Sequence, residues 1–418
     1  MKVERKDKEV NAYSEISPRM REMAEKTRAA DQVQSSLYSK YNVKRGLRDI
    51  NGKGVLAGLT NVAEVRAKKI VDGEEVLDIG RLFYRGYEIH DLIDGYKAED
   101  RFGFEEIAYL LLFGYLPDVN QLKEFSDKLI FYRSLPKNFV RDVIMKAPGE
   151  DMMNVLMRSV LTLSPYDDNA NDVSLPNVLR QSMQLISLIP MISIYGYQAY
   201  RHYECGDSLV IHQPLENGSI AENILHLLRP DSTYSDIEAK ALDTALVLHM
   251  DHGGGNNSAF TTHVVTSTLT DTYSAIAAAL ASLKGPRHGG ANMKVVEMFD
   301  DLKRQVPNWE DEDAVAAYLE DLLHGKAFDN AGLIYGVGHA VYSKSDPRAE
   351  IFHSYVEKLA EFEGREEEYA LYELVARLAP EIITKERKMY KGVCVNVDFY
   401  SGFAYHMLGL PRELYTPL

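Results

Sequence analysis

The sequence predicts a mainly α protein with a small β-hairpin region near its N-terminus. Apolar residues recur at helical spacing over most of the chain, whereas strand-like patterning is confined mostly to residues 54–84. The chain has 418 residues, which is longer than a chain that folds around a single hydrophobic core usually is. We therefore expect a helical fold of two domains.

The strand-like region contains two runs separated by residues 71–75, with Asp72-Gly73 between them. An Asp-Gly pair suits the tight turn of a β-hairpin, because both of its residues readily adopt positive φ angles. The sequence therefore predicts a hairpin with its turn at this pair.

The first strong helix signal lies over residues 104–113, where the apolar run stops at Gly114 and Pro117 follows. Glycine commonly ends a helix, and proline cannot continue one. The same spacing predicts further helices over residues 236–249, 274–284, 312–323, 347–362 and 366–378.

Composition narrows the possible partners and the compartment. The formal net charge is −15, which argues against nucleic acid as a partner. Only Cys205 and Cys394 are present, which fits a reducing compartment. Residues 1–9 are highly charged and do not read as a signal peptide, and the apolar stretch 185–195 is interrupted by Pro190 and too short to cross a bilayer. We expect a cytoplasmic protein.

Four local patterns place polar side chains beside glycines. They are Asp251-His252-Gly-Gly-Gly-Asn256, Gly285-Pro-Arg-His288-Gly-Gly-Ala-Asn292, Gly336-Val-Gly-His339 followed by Asp346-Pro-Arg348, and Asn396-Val-Asp398-Phe-Tyr-Ser-Gly402. Glycine permits positive φ and close backbone approach, so each imidazole is expected at an irregular chain junction. His288 precedes a predicted helix, whose dipole would favour the neutral imidazole that can donate to an enolate oxygen.

Each of these residues also has a purely structural interpretation. Asp398 could be the N-cap of a final helix. Arg348 could be a solvated first-turn residue after Asp346 as N-cap and Pro347 at the first helical position. Taken singly, these interpretations are favoured, so the case for chemistry depends on the four patterns together.

A metal site is the alternative suggested by His249, His252 and His263. The first two are three residues apart, which departs from the four-residue spacing of the helical zinc motif, and no cysteine lies nearby. The pattern therefore favours no metal.

Together and in this order, the four patterns resemble the citrate synthase family, of the Si-type citrate and 2-methylcitrate synthases. Tyr84-Arg-Gly-Tyr87 and the stretch from Phe104 to Pro117 match the family as well. The resemblance runs from about residue 75 to the last residue.

The resemblance implies a role for each of five side chains. Asp398 would remove a methyl proton from acetyl-CoA, and His288 would hydrogen-bond the thioester carbonyl as it becomes an enolate. His339 would hold and protonate the carbonyl oxygen of oxaloacetate. His252 and Arg348 would bind its carboxylates. An acetyl-CoA loop is implied as well; it comprises Ile334, Tyr335, Gly336, Val337 and Gly338, with Lys344 nearby.

The family's architecture implies a large helical domain over residues 1–289, a small domain over residues 290–413, and a return of the chain from 414. It also implies a homodimer formed through the large domain. The resemblance further implies acetyl-CoA and oxaloacetate as the substrates, with no cofactor and no metal.

Two departures from the family accompany the resemblance. Ser343 stands where relatives carry a basic residue for the CoA phosphates, and Lys344 is the neighbouring substitute. Relatives also continue past the position of Leu418 with two arginines that bind oxaloacetate, so we expect a truncated sequence that binds oxaloacetate weakly.

Three other functions stay open. They are 2-methylcitrate synthesis from propionyl-CoA, a catalytically silent helical assembly module and, more remotely, a metal-dependent hydrolase.

Overall fold

The structure is a computed structural model that describes residues 36–41, 59–339, 341–388 and 392–418. The chain divides into two compact units, Met1–Ala57 and Gly58–Leu418. Within the first unit, the described part is helix α1 (Ser36–Lys40) and the residue after it. The prediction of strand structure for residues 54–58 lies outside the described residues. All other described elements belong to the second unit.

Helices dominate the described part of the second unit, as predicted. Their bounds are α2 (Ile89–Ala98), α3 (Phe104–Phe113), α4 (Val119–Phe131), α5 (Met152–Leu163), α6 (Leu175–Cys205), α7 (Ile220–Leu228), α8 (Asp236–Leu248), α9 (Asn257–Thr266), α10 (Thr272–Lys284), α11 (Ala291–Gln305), α12 (Glu312–Leu323), α13 (Pro347–Glu363), α14 (Glu366–Arg387) and α15 (Val397–Met407). Short π- and 3₁₀-helical turns lie at Val140–Ile144, Ser164–Tyr166 and Arg412–Leu414.

Helix α3 shows why the local signals worked. It spans Phe104–Phe113 and ends on Gly114, whose φ of 86° is the left-handed conformation that glycine favours. Gly103 precedes the helix and has no side chain that could cap it. The buried carboxylate of Asp243 on α8 takes this role, because it accepts hydrogen bonds from the N–H groups of Gly103 (2.7 Å) and Phe104 (3.1 Å). The start of α3 is therefore fixed by a residue far away in the sequence.

Two helices contain an internal proline, and one of them extends beyond its predicted end. Helix α6 continues through Pro190, and α14 continues through Pro380 to Arg387 rather than ending near residue 378. Proline removes one backbone donor and usually stops a helix, but burial of both flanks against neighbouring helices outweighs that loss here. No helix of the described residues is both long enough and apolar enough to cross a membrane.

The predicted hairpin is confirmed. Strands β1 (Ala63–Val71) and β2 (Glu74–Tyr84) pair antiparallel, and the short β3 (Tyr87–Glu88) completes a sheet in the order β1-β2-β3. Asp72 (φ 53°) and Gly73 (φ 84°) form the turn. The two positive angles in succession are those of the turn that matches strand twist.

The end of β2 leads directly to the candidate site. The buried hydroxyl of Tyr84 lies 3.0 Å from the carbonyl oxygens of both Val247 and Asp251, and it accepts from the Asp251 N–H at 3.3 Å. Tyr84 thus fixes the chain where α8 ends and the segment carrying His252 begins.

An aromatic stack joins the helices that follow residue 290. Tyr372 of α14 lies between Phe299 of α11, at 3.6 Å between ring centroids, and Phe403 of α15, at 4.5 Å. Helix α13 in turn packs against α15 and α8. The predicted domain boundary at 289/290 falls in the turn before α11 and stays a prediction.

Candidate active site

Asp398 lies in the first turn of α15, where Asn396 acts as the N-cap. The Asn396 side chain accepts from the Asp398 N–H at 3.0 Å. The interpretation of Asp398 as a helix cap is therefore wrong, because Asn396 caps the helix. The Asp398 carboxylate is then available to act on a ligand.

The surroundings of Asp398 favour its protonated form. Burial raises the pKa of its carboxyl group, Asp346 adds to the rise, and His249 and Arg348 oppose it. The residue is nevertheless partly solvent-accessible, and His249 is exposed although protein atoms crowd around its ring. Accessible groups enclosed by protein lie on the wall of a recess, where a ligand could reach them. A carboxylate with raised pKa is a stronger base than one in water.

Arg348 opens α13, after Asp346 as N-cap and Pro347 at the first helical position, as the sequence indicated. Its side chain is not solvated, however: only 8% of the residue is exposed. Nε and Nη2 donate to the two carboxylate oxygens of Asp346, at 3.0 and 2.7 Å. Nη1 is not used in this pair, so the guanidinium has a second edge to offer a ligand carboxylate.

His339 is held in one tautomer. Its Nδ1 accepts from the backbone N–H groups of Val341 and Tyr342, each at 3.1 Å. The proton of the neutral ring must then be on Nε2, which becomes a donor. Burial lowers the pKa of His339 to about 4, and nearby Arg348 contributes to the lowering. The ring is therefore a neutral donor near pH 7.

His252 lies beside His339, with 5.1 Å between ring centroids and near-perpendicular planes. Burial, followed by the charge of Arg348, lowers the pKa of His252 to about 3. Its Nε2 is 3.2 Å from the Tyr342 hydroxyl. We call the six residues His249, His252, His339, Asp346, Arg348 and Asp398 the Arg348 cluster, because the charge of Arg348 acts on each of the others or pairs with it.

His288 is held by Ser258 of α9. The Ser258 N–H donates to Nε2 of His288 at 3.3 Å, and the Ser258 hydroxyl lies 2.8 Å from the same nitrogen. Nε2 is thus an acceptor at the N-terminus of α9, and the ring proton is left on Nδ1. The neutral imidazole expected for His288 is therefore stabilised by the N-terminus of α9. It is not stabilised by α11, the helix that follows His288 in the sequence. Burial lowers the pKa of His288.

The glycines after His288 are needed by the chain itself. A Cβ on Gly289 would lie 2.3 Å from the Leu283 carbonyl oxygen, and one on Gly290 would lie 2.5 Å from that of Pro286. Neither glycine has a positive φ. These glycines therefore allow a tight turn that directs His288 back toward Ser258, whereas the sequence alone left ligand approach as an equal reason.

The loop Ile334–Gly338 is tied to the segment that leads to Asp398. The N–H of Gly338 donates to the Cys394 carbonyl at 2.7 Å, and the N–H of Asn396 donates to the Gly336 carbonyl at 2.9 Å. Gly336 has φ 78°, and a Cβ there would lie 3.0 Å from the Phe399 Cα, so glycine is required. Of the other loop residues, Ile334 is buried and Tyr335 and Val337 are half-buried, while Lys344 is exposed. Their contact with acetyl-CoA stays a prediction.

Three functional candidates emerge that the sequence did not single out for this role: Ser258, Tyr342 and His249. His249 could have been found from the His-x-x-His spacing, which was considered only for metal. Ser258 and Tyr342 carry no local signal, because their partners His288 and His252 are distant in the sequence. Within the described ranges, no group of three His, Cys, Asp or Glu side chains is arranged to hold a metal ion.

The chain is similar to known proteins over most of its length. Residues 49–418 match the family described as "Citrate synthase, C-terminal domain". A citrate synthase of Haloferax volcanii is 36% identical over 382 residues, covering 90% of this chain and 88% of that protein. A 2-methylcitrate synthase of Shewanella oneidensis is 32% identical over 337 residues, covering 81% and 80%.

Solved structures agree as well. The crystal structure of citrate synthase from Pyrobaculum aerophilum superposes with a TM-score of 0.71 at 26% identity, covering 90% of this chain and 87% of that one. The ternary complex of carboxymethyl coenzyme A and oxaloacetate with citrate synthase from Thermoplasma acidophilum gives 0.70 at 28% identity, covering 87% and 86%.

Proposed function

This chain belongs to the citrate synthase family, and we propose that His288, His339 and Asp398 carry its condensation of acetyl-CoA with oxaloacetate. In this proposal Asp398 is the base, His288 stabilises the enolate oxygen, and His339 holds and protonates the oxaloacetate carbonyl. His252 and Arg348 bind the carboxylates of oxaloacetate.

The observation that carries the proposal is the fixed tautomer of His339 beside a buried Arg348. Two backbone N–H groups direct the ring proton to Nε2. A neutral N–H donor next to a guanidinium with one unused edge suits a keto acid, whose carbonyl needs a donor and whose carboxylate needs a cation. The aspartate with raised pKa completes the set.

The reaction needs both a base and an oxyanion donor. A thioester methyl is a very weak acid, so its proton leaves only if the carbonyl oxygen is stabilised at the same time. Asp398 would take the proton while His288 Nδ1–H donates to the developing enolate oxygen. The enolate carbon then attacks the oxaloacetate carbonyl carbon. His339 gives its Nε2 proton to the resulting alkoxide and takes one from water, so its ring ends the step neutral. Water then hydrolyses the citryl thioester, which releases citrate and CoA.

A thiol assay tests the proposal directly. The purified chain is mixed with acetyl-CoA and oxaloacetate, and free CoA is followed with a thiol reagent; a reaction without oxaloacetate is the control. We expect CoA release that depends on oxaloacetate and citrate in equal amount. A chain that releases no CoA under these conditions would be the silent assembly module instead.

A second acyl substrate is supported by relatives named 2-methylcitrate synthase, which match over most of the chain. The residues proposed above would act in the same way on propionyl-CoA. The ratio of kcat/KM for acetyl-CoA and propionyl-CoA separates the two, and we expect acetyl-CoA to be preferred.

We also propose a homodimer, formed through α9 and α10. Helix α9 buries none of its residues although it carries apolar side chains, and α10 buries only Tyr273 and Ala275. Val264 and Leu269 are 50% and 76% exposed. Such a surface is typical of one that a second copy covers. Sedimentation equilibrium should give a dimer for the native chain, and the Val264→Lys variant should shift it toward monomer.

The cytoplasmic location, the contact of Ile334–Gly338 and Lys344 with acetyl-CoA, and the division into domains at 289/290 are proposals of the same kind. Free thiols at both Cys205 and Cys394 support a reducing compartment. The ties between the loop and Asn396 support a shared role, because acetyl-CoA must reach Asp398.

A further inference from the structure

Tyr342 packs among the histidines of the Arg348 cluster. Its ring stacks on that of His339 at 4.7 Å and 26°, and it meets the edge of His252 at 5.4 Å. The residue is 1% exposed. A Cβ on Gly80 of β2 would lie 2.6 Å from the Tyr342 Cδ1, so the backbone of β2 presses directly on the ring. The ring is therefore fixed, and only its hydroxyl proton can move.

The hydroxyl of Tyr342 has two neighbours that compete for that proton. It donates to the Arg81 carbonyl oxygen at 3.3 Å, and it lies 3.2 Å from Nε2 of His252. Both distances are at the long end for hydrogen bonds. A phenol has one proton, so the two contacts cannot both be donations from Tyr342.

Counting protons shows what this means for His252. While the phenol donates to Arg81, the contact with His252 requires that the ring nitrogen Nε2 donates to the phenol oxygen. A neutral imidazole has one N–H, so Nδ1 then has a lone pair and no proton. That nitrogen cannot donate to a carboxylate. In the other arrangement the phenol donates to Nε2, and Nδ1–H becomes a donor.

We propose that Tyr342 is a positioning residue that selects the tautomer of His252, and that oxaloacetate binding turns its hydroxyl from Arg81 to His252. This inference rests on the proposed function, because it takes the oxaloacetate carboxylate as the ligand of His252. One proton leaves Nε2 and one is gained at Nδ1 by exchange with water, so the net charge of the ring is unchanged.

The neutral ring is essential to this device, and its neighbours keep it neutral. Burial and the charge of Arg348 disfavour the cation of His252, while Asp346 opposes them. A cationic ring would have protons on both nitrogens and would need no help from Tyr342. Among the described residues, the Tyr342 hydroxyl is the one hydrogen-bond partner of the His252 ring.

The Tyr342→Phe variant tests the inference, since it keeps the stacked ring and removes the hydroxyl. Oxaloacetate affinity is measured by isothermal titration, and kcat and both KM values are measured by thiol release. We expect the dissociation constant for oxaloacetate to fall about fivefold, because the free state loses both contacts of the hydroxyl, with Arg81 and with His252, whereas the bound state loses only the contact with His252. The kcat should change less than about threefold and the KM for acetyl-CoA should stay the same, because His339 and His288 keep their donors.

A spectroscopic readout separates this role from a structural one. In ¹⁵N-histidine-labelled protein, assigned by comparison with His252→Gln, the native chain should carry its His252 proton on Nε2 without ligand and on Nδ1 with oxaloacetate. The Tyr342→Phe variant should lose the preference for Nε2 in the free state. A native chain with His252 already protonated on Nδ1 before oxaloacetate is added would overturn the inference.

The matched control is Tyr195→Phe. Tyr195 of α6 is also buried, and its hydroxyl donates to the His212 carbonyl at 2.8 Å, away from the cluster. This variant should lose thermal stability to a similar extent and leave both the affinity and the tautomer unchanged. If native chain binds oxaloacetate and Tyr342→Phe binds it equally well, this inference alone fails. If native chain neither binds oxaloacetate nor releases CoA, the proposed function fails with it.

Discussion

The Arg348 cluster and the pair formed by His288 with Ser258 are built on different principles. In the cluster, ionic groups act on one another: burial comes first, but the charge of Arg348 reaches His249, His252, His339 and Asp398. In the pair, burial alone lowers the pKa of His288, and the described hydrogen bonds of its ring go to one serine.

The difference follows the charges of the two proposed substrates. Oxaloacetate is a dianion, so its site needs a cation and neutral donors that are assembled together and shielded from water. A thioester is neutral until its proton leaves, so its donor needs only a fixed tautomer. We infer that the charges of the cluster are in place before any ligand binds and that only the proton on His252 is rearranged, whereas His288 becomes useful only when acetyl-CoA lies between it and Asp398.

The largest effect is expected when the base is removed from the cluster. Asp398→Asn keeps the shape and the Asn396 cap, yet it should lower kcat by ~10²–10⁴-fold. Because the folded-state pKa of Asp398 is raised, burying its ionised form costs stability above the unfolded pKa and nothing below it. The variant should therefore unfold at the same or a higher temperature at neutral pH, which calorimetry can check.

A matched control is available in Asp301→Asn. Asp301 is a buried carboxylate on α11 that accepts from the Tyr318 hydroxyl at 2.7 Å, outside the cluster. It should lower stability without a comparable loss of kcat. Near-normal turnover in Asp398→Asn would show that another group is the base. In the native chain, kcat should fall on acidification at a pH above the ordinary carboxyl range, because the pKa is raised.

The next effect separates the two regions. His288→Ala should lower kcat by ~10²–10³-fold, because it removes one donor to the enolate oxygen. Oxaloacetate affinity, measured by titration, should stay within about twofold, because His288 is not part of the Arg348 cluster. Normal kcat with weakened oxaloacetate binding would mean that His288 and His252 have each other's roles.

A change inside the cluster should instead affect oxaloacetate affinity more than kcat. Arg348→Lys keeps the charge but loses the two-pronged pair with Asp346, which is 1% exposed. Disrupting a buried hydrogen-bonded charge pair costs about 2–5 kcal/mol, so oxaloacetate should bind at least ~30-fold more weakly. The unfolding temperature should fall too, because the Asp346 carboxylate is left short of donors. Unchanged affinity would remove Arg348 from the oxaloacetate site.

How well the sequence anticipated the molecule depended on how local each cause was. Helix α3 and the hairpin turn were predicted because Gly114 and Asp72-Gly73 act within a few residues. The end of α14 was missed because tertiary packing overrode Pro380. The spacing of apolar residues along the sequence carries no information about that packing.

The site followed the same rule. The sequence offered Asp398 as a possible cap of the last helix, whereas the folded chain uses Asn396 for that role. The dipole argument for His288 pointed to the helix that follows it in the sequence, whereas the N-terminus that it meets is that of α9. Tyr342 is an ordinary aromatic residue until the backbone of β2 is folded against it.

The smallest predicted effect concerns Ser258, the partner that holds His288. Ser258→Ala removes the hydroxyl at 2.8 Å but keeps the backbone N–H at 3.3 Å, so Nε2 stays an acceptor and the tautomer survives. The hydroxyl has one proton, which is shared between His288 Nε2 and the Ala279 carbonyl oxygen at 3.1 Å, and alanine removes both contacts. The contact with His288 is worth no more than ~1 kcal/mol, so kcat should fall by no more than about fivefold. Oxaloacetate affinity should not change, since Ser258 has no contact with the Arg348 cluster among the described residues.

Thr262→Val is the control variant. The Thr262 hydroxyl donates to the Ser258 carbonyl in the same helix, at 2.9 Å, and its removal should not affect kcat. Steady-state kinetics of both variants decides. A Ser258→Ala variant that loses oxaloacetate affinity and keeps its kcat would place the pair inside the cluster and abolish the distinction between the two regions.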